Sequence, residues 1–472
     1  MKPLDRVALL SILFLTVLIG LLLWGGDHTH PRVREFSWKN QQVGINDVAF
    51  VLTFNRPMNW ESVAANLSIQ PPLPGKLSWS GRRLAYTLTE PVPYGQTFKL
   101  ELDQAVAAQA GQAQPSIMQP FRHQFHSRDL AFAYLGIAGS ENGRLALKNL
   151  TQKTQQVLTP PNLTVLNFKV NSSHDRILFM AIDRTDPKQT IFEAKLYATS
   201  LKQPGKPQLL LDNAAAQILK FDVTPNGETT VVQRYGRKEN RTISLSILAD
   251  DGSVREVINN NVDGDFVITP DGQTVAVSQN QGVGIVPLGP DVTLPTDKFL
   301  PHFHHALGFA RDGTAALMVK ENTDATQSLF WVPNQGDEQN LLTTTGYLFD
   351  AQLDPISQTV YCLYSEFNPD ADFRSDLQLS AISLKTGHQQ EMKTFPGQAT
   401  GHLSLAPDYS GLLYEELSVT DQPHSSVVKN VVGQTITESK LWLLPLTAEA
   451  KSPKPMIKFR IVASGLQPAW IP

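Results

Sequence analysis

The fold is decided by a pattern that is clearest in residues 219–234, LKFDVTPNGETTVVQR, and in residues 264–279, GDFVITPDGQTVAVSQ. In each stretch a short apolar strand leads into a Thr-Pro turn that contains a glycine, and a second apolar strand follows. Such runs on both sides of a tight turn are typical of an antiparallel strand pair. Four further segments carry the same pattern less strictly, beginning at Leu166, Ala306, Phe349 and His402.

The pattern recurs with a nearly constant period. Comparable turn positions lie 41 to 52 residues apart, at Ser173, Pro225, Pro270, Arg311, Pro355 and Pro407. Two more strands are visible between the turns, for example KLYATSL from Lys195 and QLLLD from Gln208. A period of this length with four short strands is the signature of a β-propeller blade. The sequence therefore predicts an all-β propeller over residues 128–472.

Half of a repeat stands at each end of this region. Residues 130–136, LAFAYLG, begin the later strands of a blade, and residues 466–472, LQPAWIP, read as the first strand of one. Pairing the two would remove the exposed sheet edges that a linear array leaves. Six complete repeats and one shared repeat predict seven blades closed by pairing of the N-terminal and C-terminal strands. A count of six or eight follows if one repeat is wrongly divided.

The turns carry a family resemblance. The T-P-D-G turn at Thr269 and the P-A-W-x-P ending from Pro468 resemble TolB-type propellers, and more loosely the propeller domains of prolyl-oligopeptidase-like proteins. The resemblance implies the fold and is poor as a guide to function. No G-x-S-x-G elbow occurs anywhere in the sequence, which disfavours serine peptidase activity.

Residues 33–127 predict a small β-sandwich. Short runs with a period near two, such as VAFVLTF from Val48, are separated by turns rich in Pro and Gly. The FNRPMN stretch from Phe54, the YGQTFKLEL run from Tyr94 and the FHS ending from Phe125 resemble the bacterial Ig-like domain of S-layer and cell-envelope proteins. This resemblance implies a spacer or an adhesive module rather than an enzyme.

Residues 7–24, VALLSILFLTVLIGLLLW, carry no charge. As a helix they would be about 27 Å long, close to the thickness of the hydrocarbon layer of a membrane. No A-x-A-like site follows, so an uncleaved anchor is favoured over a cleaved signal peptide. Lys2 and Arg6 precede the run, which predicts a cytoplasmic N-terminus and a single-pass protein whose bulk lies on the periplasmic or extracellular side.

The predicted domains follow from these segments. They are a cytoplasmic N-terminus at 1–6, a transmembrane anchor at 7–26, an Ig-like β-sandwich at 27–127 and the β-propeller at 128–472. The lipid bilayer is a predicted partner through the anchor. A second predicted partner is a protein or an envelope polymer bound on one face of the propeller.

Composition excludes several classes of protein. The 40 Lys and Arg residues against 44 Asp and Glu give a net charge of -4. The chain therefore lacks the overall positive charge that would attract nucleic acid. The single cysteine, Cys362, excludes an internal disulfide framework and a cysteine zinc cluster. Cys362 lies in an apolar run and is predicted to be a buried small side chain rather than a nucleophile. No cofactor is predicted.

No catalytic motif stands out, and the metal candidates are weak. His302 and His304 have strand spacing, but two ligands fall short of the three that a catalytic zinc normally takes. Asp370, Asp372 and Asp376 belong to an oxygen-rich loop that lacks the glycine and the distal glutamate of an EF-hand. For both groups we prefer solvated polar side chains to a metal site.

Three functions remain after these exclusions. The first is a membrane-anchored extracytoplasmic binding or scaffold protein, not an enzyme, whose propeller recognises a protein, a peptide or a cell-wall partner. The alternative is an enzyme, a hydrolase or a lyase, with its site in the propeller tunnel. The third is a purely structural or assembly subunit.

Overall fold

The computed structural model describes residues 11–17, 19, 30–108, 116–171, 175–186, 190–237, 241–249, 251–259, 264–279, 282–289, 299–367, 375–398, 400–420, 435–446, 459–460 and 463–472. The chain divides into two compact units, Met1–Arg128 and Asp129–Pro472. Both units consist mainly of β-strands in the described ranges.

The predicted transmembrane helix over residues 7–26 is wrong. Residues 11–17 and residue 19 are helical, and the Thr16 hydroxyl donates to the Ile12 carbonyl oxygen at 2.7 Å. Across the residues that the structure describes, no helix is both long enough and apolar enough to cross a membrane. This overturns the predicted single-pass membrane location. Residues 1–6, predicted to be cytoplasmic, lie outside the described residues.

The first unit contains two four-stranded sheets, with strand orders β1-β3-β6-β5 and β2-β8-β7-β4. All neighbouring strands are antiparallel except β2 and β8, which are parallel. In chain order its elements are β1 (Val33–Phe36), β2 (Gln42–Val43), β3 (Ala49–Phe54), α1 (Trp60–Asn66), β4 (Leu67–Gln70), β5 (Gly75–Ser80), β6 (Arg83–Leu88), β7 (Thr97–Leu102) and β8 (Phe121–Ser127).

Alternation along the strands builds one core between these sheets. Phe50, Leu52 and Phe54 of β3 are buried, while the residues between them are half-exposed. Trp38 packs edge-on against Phe50 of one sheet and Phe125 of the other, with ring centroids 5.1 and 5.2 Å apart. The two sheets therefore share a single hydrophobic core. Membership of the Ig-like family stays a prediction.

The second unit contains seven four-stranded antiparallel sheets in its described residues, named blades 1–7 below. Two short 3-10 helices, Gly139–Glu141 and Ile191–Glu193, lie in its loops. Its strands are β9 (Ala131–Gly136), β10 (Leu145–Asn149), β11 (Thr154–Val157), β12 (Leu163–Asn171), β13 (Arg176–Asp183), β14 (Lys195–Ser200), β15 (Gln208–Leu211), β16 (Ala216–Val223), β17 (Thr230–Gly236), β18 (Ile243–Leu248), β19 (Val254–Asn259), β20 (Phe266–Ile268), β21 (Thr274–Gln279), β22 (Gly282–Pro287), β23 (Phe299–Leu300), β24 (His305–Phe309), β25 (Ala315–Glu321), β26 (Gln327–Pro333), β27 (Gln339–Thr344), β28 (Leu348–Asp354), β29 (Thr359–Phe367), β30 (Ser375–Ser383), β31 (Gln389–Phe395), β32 (Leu403–Leu405), β33 (Gly411–Thr420), β34 (Thr435–Pro445), β35 (Phe459–Arg460) and β36 (Gly465–Trp470).

Each blade contributes one inner strand to a closed ring. Blade 1 has the order β11-β10-β9-β36, and blades 2 to 7 each use four consecutive strands from β12 onwards. The inner strands of blades 1 to 7 are β36, β12, β16, β20, β24, β28 and β32, and each contacts its neighbours, with β36 touching both β32 and β12. β36 pairs with β9 in a register that places Trp470 opposite Phe132. The prediction of a β-propeller is confirmed.

The repeated turn motif has a simple backbone reason. In blade 4, Gly272 has a φ of +68°, and in blade 3 Gly227 has a φ of +72°. A residue with a side chain is strained at such angles, so glycine is favoured there. The Thr269 hydroxyl donates to Asp271 Oδ1 at 2.6 Å and closes the turn. The same local chemistry therefore marks the end of the inner strand in both blades.

Candidate functional site

The inner strands carry polar side chains at equivalent positions around the ring. The register between an inner strand and the next strand of its blade shifts between Ile218 and Lys220 in blade 3 and between Leu348 and Asp350 in blade 6. Similar shifts occur in blades 1, 2 and 5. Such β-bulges re-aim the side chains that follow them. In five blades a polar residue stands directly before the inner strand or after its bulge: Asn167, Lys220, Asp265, Asp350 and His402.

Several of these side chains bind the free edge of the next inner strand. Lys220 Nζ donates to the Phe266 carbonyl oxygen at 2.9 Å. Asp350 Oδ2 accepts from the Leu403 N–H at 3.0 Å, and Gln352 Nε2 donates to the Leu403 carbonyl oxygen at 2.9 Å. An inner strand is paired on one side only, so its other edge would otherwise leave backbone groups unsatisfied. Part of the polar ring is therefore structural.

Other side chains of the ring remain open to water. Lys169 of blade 2 is enclosed by protein on nearly all sides, yet 41% of its side-chain surface is accessible. Its Nζ lies 3.5 Å from Asp222 Oδ1, and this neighbour raises the pKa of Lys169 against the opposing effect of burial. Asp350 of blade 6 and Asp265 of blade 4 raise it further. Lys169 lies on the inner strand β12, and we call the space that the inner strands surround the central channel.

His402 of blade 7 lies in the same enclosed but wet environment. Half of its side-chain surface, 50%, is accessible, and its Nδ1 lies 2.9 Å from Glu415 Oε1. Burial acts to lower the pKa of His402, but Glu415 and, more weakly, Asp350 raise it above its ordinary value. The Glu415 side chain itself is only 2% accessible. A buried carboxylate therefore fixes the imidazole of His402 at the channel wall.

Glu415 also holds the closing strand. Its Oε2 accepts from the Gln467 backbone N–H of β36 at 2.7 Å. Gln467 has a φ of +49°, and its side-chain Oε1 is buried without a hydrogen-bond partner among the described residues. One carboxylate thus joins blade 7, the channel histidine and the strand that completes the ring.

A cavity of about 330 Å³ opens between blades 5, 6 and 7. It extends from turn residues, which include Arg311 and Tyr409, to Asp350 and Gln352 of the inner strand β28. Its remaining lining is mainly apolar, with Leu307, Gly308, Phe309, Leu317, Ala351, Leu353, Leu405, Ala406 and Pro407. The surface that these residues expose to the cavity is about equally polar and apolar, and the volume is at the small end of the range for ligand sites.

The metal candidates of the sequence analysis are not brought together. His302 is exposed, and His304 Nε2 lies 3.6 Å from Glu321 Oε1 at a half-exposed position. Asp376 Oδ1 accepts from the Gly397 N–H at 2.9 Å, while Asp370 and Asp372 lie outside the described residues. Within the described ranges no three His, Cys, Asp or Glu side chains form a metal-binding group.

Cys362 is fully buried in β29, and burial raises the pKa of its thiol to about 12. A thiol with so high a pKa is protonated at neutral pH and is a poor nucleophile. The position therefore serves packing between the blades.

His305 differs from its two histidine neighbours because it is largely enclosed. Burial lowers its pKa to about 4, with a further lowering by His304 and Lys220 and an opposing effect of Asp265 and Glu321. The folded protein therefore binds this proton more weakly than the unfolded chain, whose histidine has the ordinary value of 6.5. It follows that His305 makes folding less favourable as the pH falls from about 6.5 towards 4.

We expect His305→Gln to weaken this acid sensitivity. The free energy of unfolding, measured by urea denaturation at several pH values, should decline less steeply between pH 6.5 and 4 than in the unsubstituted protein. His302→Gln is the matched control, since His302 is exposed three residues away. Identical slopes for His305→Gln and the unsubstituted protein would contradict the prediction.

The sequence analysis missed the channel residues. Lys169, Asp222, Asp350, His402 and Glu415 each stand singly inside apolar runs, where period-two alternation accounts for them. One signal was present: when the repeats are aligned on their turns, a polar residue recurs at the start of the inner strand. An alignment of all the repeats on their turns makes this recurring polar position visible, whereas each strand taken alone does not.

Comparisons with known proteins find only distant structural likeness. No protein-family model matches the sequence, and no curated protein matches it significantly. TolB from Acinetobacter baumannii is 11% identical, over 72% of this chain and 86% of that one, with a TM-score of 0.39. Oligogalacturonate lyase from Vibrio parahaemolyticus is 12% identical over 61% and 88%, with a TM-score of 0.45. A puromycin-hydrolyzing peptidase from Mycobacterium tuberculosis is 12% identical over 72% and 55%, with a TM-score of 0.47.

Proposed function

We propose that this chain is a binding protein, without catalysis of its own, whose propeller takes a segment of a peptide or protein partner into the cavity between blades 5, 6 and 7. The observation that carries the proposal is the cavity itself, about 330 Å³, whose lining combines apolar side chains with the charged residues Arg311 and Asp350. This volume suits one or two side chains of a partner rather than a large cofactor. A rigid ring of blades holds the cavity open without a partner, which lowers the cost of ordering on binding.

Gly308 provides a sharp test of the proposal. It lines the cavity, and a Cβ built on it would meet only the Ala351 carbonyl oxygen, at an ordinary 3.7 Å. A large side chain at this position therefore fills the cavity without straining the backbone. The control is Glu338→Trp, which adds the same indole at an exposed position in the loop between β26 and β27.

We expect peptides selected from a random phage-displayed library on the immobilised full chain to depend on this cavity. Their affinity should fall by at least about tenfold on Gly308→Trp and stay unchanged on Glu338→Trp. Gly308→Val, a smaller plug, should give an intermediate loss and serves if the tryptophan variant does not fold. Failure to enrich any peptide family, or equal binding to all variants, would contradict the proposal.

A hydrolase or lyase site in the channel is the second candidate. The water-accessible His402, oriented by a buried carboxylate, has the arrangement of a general base with its orienting group. We prefer binding because Glu415 already has a structural task at the closing strand. Turnover of a chromogenic ester or glycoside that His402→Gln abolishes and Gly308→Trp leaves unchanged would favour the enzyme instead.

A further inference from the structure

Asp350 is the acidic end of the cavity. It follows the bulge of β28, and the Leu403 N–H holds its Oδ2 at 3.0 Å. The neighbouring Gln352 is held from both sides, since it donates to the Leu403 carbonyl oxygen at 2.9 Å and accepts from the Leu405 N–H at 2.7 Å. The carboxylate therefore has a fixed position in the cavity wall rather than a mobile one.

The charge of Asp350 is not neutralised by a direct ion pair among the described residues. Lys169 and His402 lie close enough to lower its pKa, but burial outweighs them and raises it. Both of these cations have other partners. Lys169 Nζ is 3.5 Å from Asp222 Oδ1, and His402 Nδ1 is 2.9 Å from Glu415 Oε1. Asp350 is half-buried, so its carboxylate is partly shielded from water while remaining accessible, and a cationic group of a ligand would be attracted to it.

Arg311, the other charged residue of the cavity lining, already interacts with a neighbouring side chain. Arg311 and Asp350 are the two charged residues of the lining. Arg311 interacts with the Tyr409 hydroxyl at the turn end of the cavity. The inner-strand end is thus acidic, and the walls that lead to it carry Leu307, Phe309 and Leu353. An aliphatic stem between apolar walls with a cationic head beyond them describes a lysine or arginine side chain.

We propose that the cavity selects a basic side chain of its partner, a lysine or an arginine, whose ammonium or guanidinium group pairs with Asp350. The proposal rests on the peptide-binding function above and specifies what that function recognises. Asp350 is then the specificity residue, and Gly308 marks the space that the aliphatic stem fills.

Asp350→Asn tests the pairing without removing the structural hydrogen bond. Its amide oxygen is still able to accept from the Leu403 N–H, while the charge is lost. The ligands are peptides selected on the unsubstituted full chain, each compared with a copy in which lysine is replaced by norleucine or arginine by citrulline. Asp324→Asn is the control, since Asp324 is an exposed carboxylate of the same unit outside the cavity lining.

We expect the selected peptides to share a lysine or an arginine. Norleucine or citrulline replacement, or Asp350→Asn, should each lower affinity about tenfold or more, and the combination should cost little more than either change alone. Asp324→Asn should have no effect. A thermal unfolding midpoint close to that of the unsubstituted protein shows that Asp350→Asn is folded, and Asp350→Glu, which keeps the charge, should retain the preference for a basic residue.

The outcomes separate this inference from the function on which it rests. Peptides that bind in a Gly308-dependent manner without a basic residue, or that bind Asp350→Asn unchanged, overturn the inference and leave the binding function standing. Selection of acidic peptides would do the same and would point to Arg311. Binding that is insensitive to Gly308→Trp overturns both proposals.

Discussion

Replacing Trp470 by alanine is expected to lower the free energy of unfolding of the propeller by about 3–5 kcal/mol. Trp470 is 6% exposed and packs edge-on against Phe132 with ring centroids 5.8 Å apart. Its Nε1 donates to the Ser404 carbonyl oxygen at 2.9 Å. The side chain therefore joins blade 1 to blade 7 at the place where the ring is closed. Its loss leaves a cavity and an unsatisfied carbonyl oxygen together.

Chemical denaturation followed by circular dichroism measures this effect, with separate transitions fitted for the two units. Tyr347→Ala is the control, since Tyr347 is an aromatic residue of the same unit that is 56% exposed. Its substitution should change stability by no more than about 0.5 kcal/mol. A Trp470→Ala variant as stable as Tyr347→Ala would show that the ring does not depend on this junction.

The architecture of the propeller was accessible to sequence reasoning because its signals are local and repeated. The turns at Pro225 and Pro270 lie between apolar runs, and the same period recurs through Pro407. The half-repeats at 130–136 and 466–472 pair in the structure, with Trp470 opposite Phe132. Each repeat confirms its neighbours, so an error in one strand does not change the period.

The candidate site was inaccessible for the opposite reason. Asp350 and His402 meet Lys169 only because a ring brings blades 2, 6 and 7 around one axis. The direction of Asp350 depends on the bulge between Leu348 and Asp350, which no periodicity in the sequence reveals. The metal hypothesis rested instead on His302 and His304, which are two residues apart in the sequence.

The membrane prediction failed on a different kind of inference. The prediction rested on the apolar composition of residues 7–24 and on the length that these residues would have as one helix. Residues 11–17 and 19 are helical, but no helix of the described residues is long and apolar enough to cross a membrane.

Glu415→Ala is the second large expected effect, because one buried carboxylate has two partners. Its Oε1 lies 2.9 Å from His402 Nδ1, and its Oε2 accepts from the Gln467 N–H at 2.7 Å. Alanine removes both acceptors, which leaves the Gln467 N–H unsatisfied in the interior and His402 without its counter-charge. Because His402 is half-exposed and water can solvate its charge, the main loss is the unsatisfied Gln467 N–H, and the total should be about 1–3 kcal/mol, measured as the free energy of unfolding of the propeller. Glu416→Ala is the control on the same strand, because the Glu416 side chain is 38% accessible against 2% for Glu415, so its loss should cost less.

Glu415→Gln separates the charge from the hydrogen bond. The amide oxygen is still able to accept from the Gln467 N–H, so this variant should be more stable than Glu415→Ala. It should also lose a pH dependence. The pKa of His402 is raised in the folded protein, so its stabilising effect is complete below the ordinary value of 6.5 and is lost as the pH rises through the raised pKa. In Glu415→Gln the carboxylate that causes most of this rise is absent, so stability should vary less with pH above 6.5. An unchanged pH dependence would show that Glu415 does not set the pKa of His402. Equal losses in Glu415→Ala and Glu416→Ala would show that the closing strand is held by other contacts.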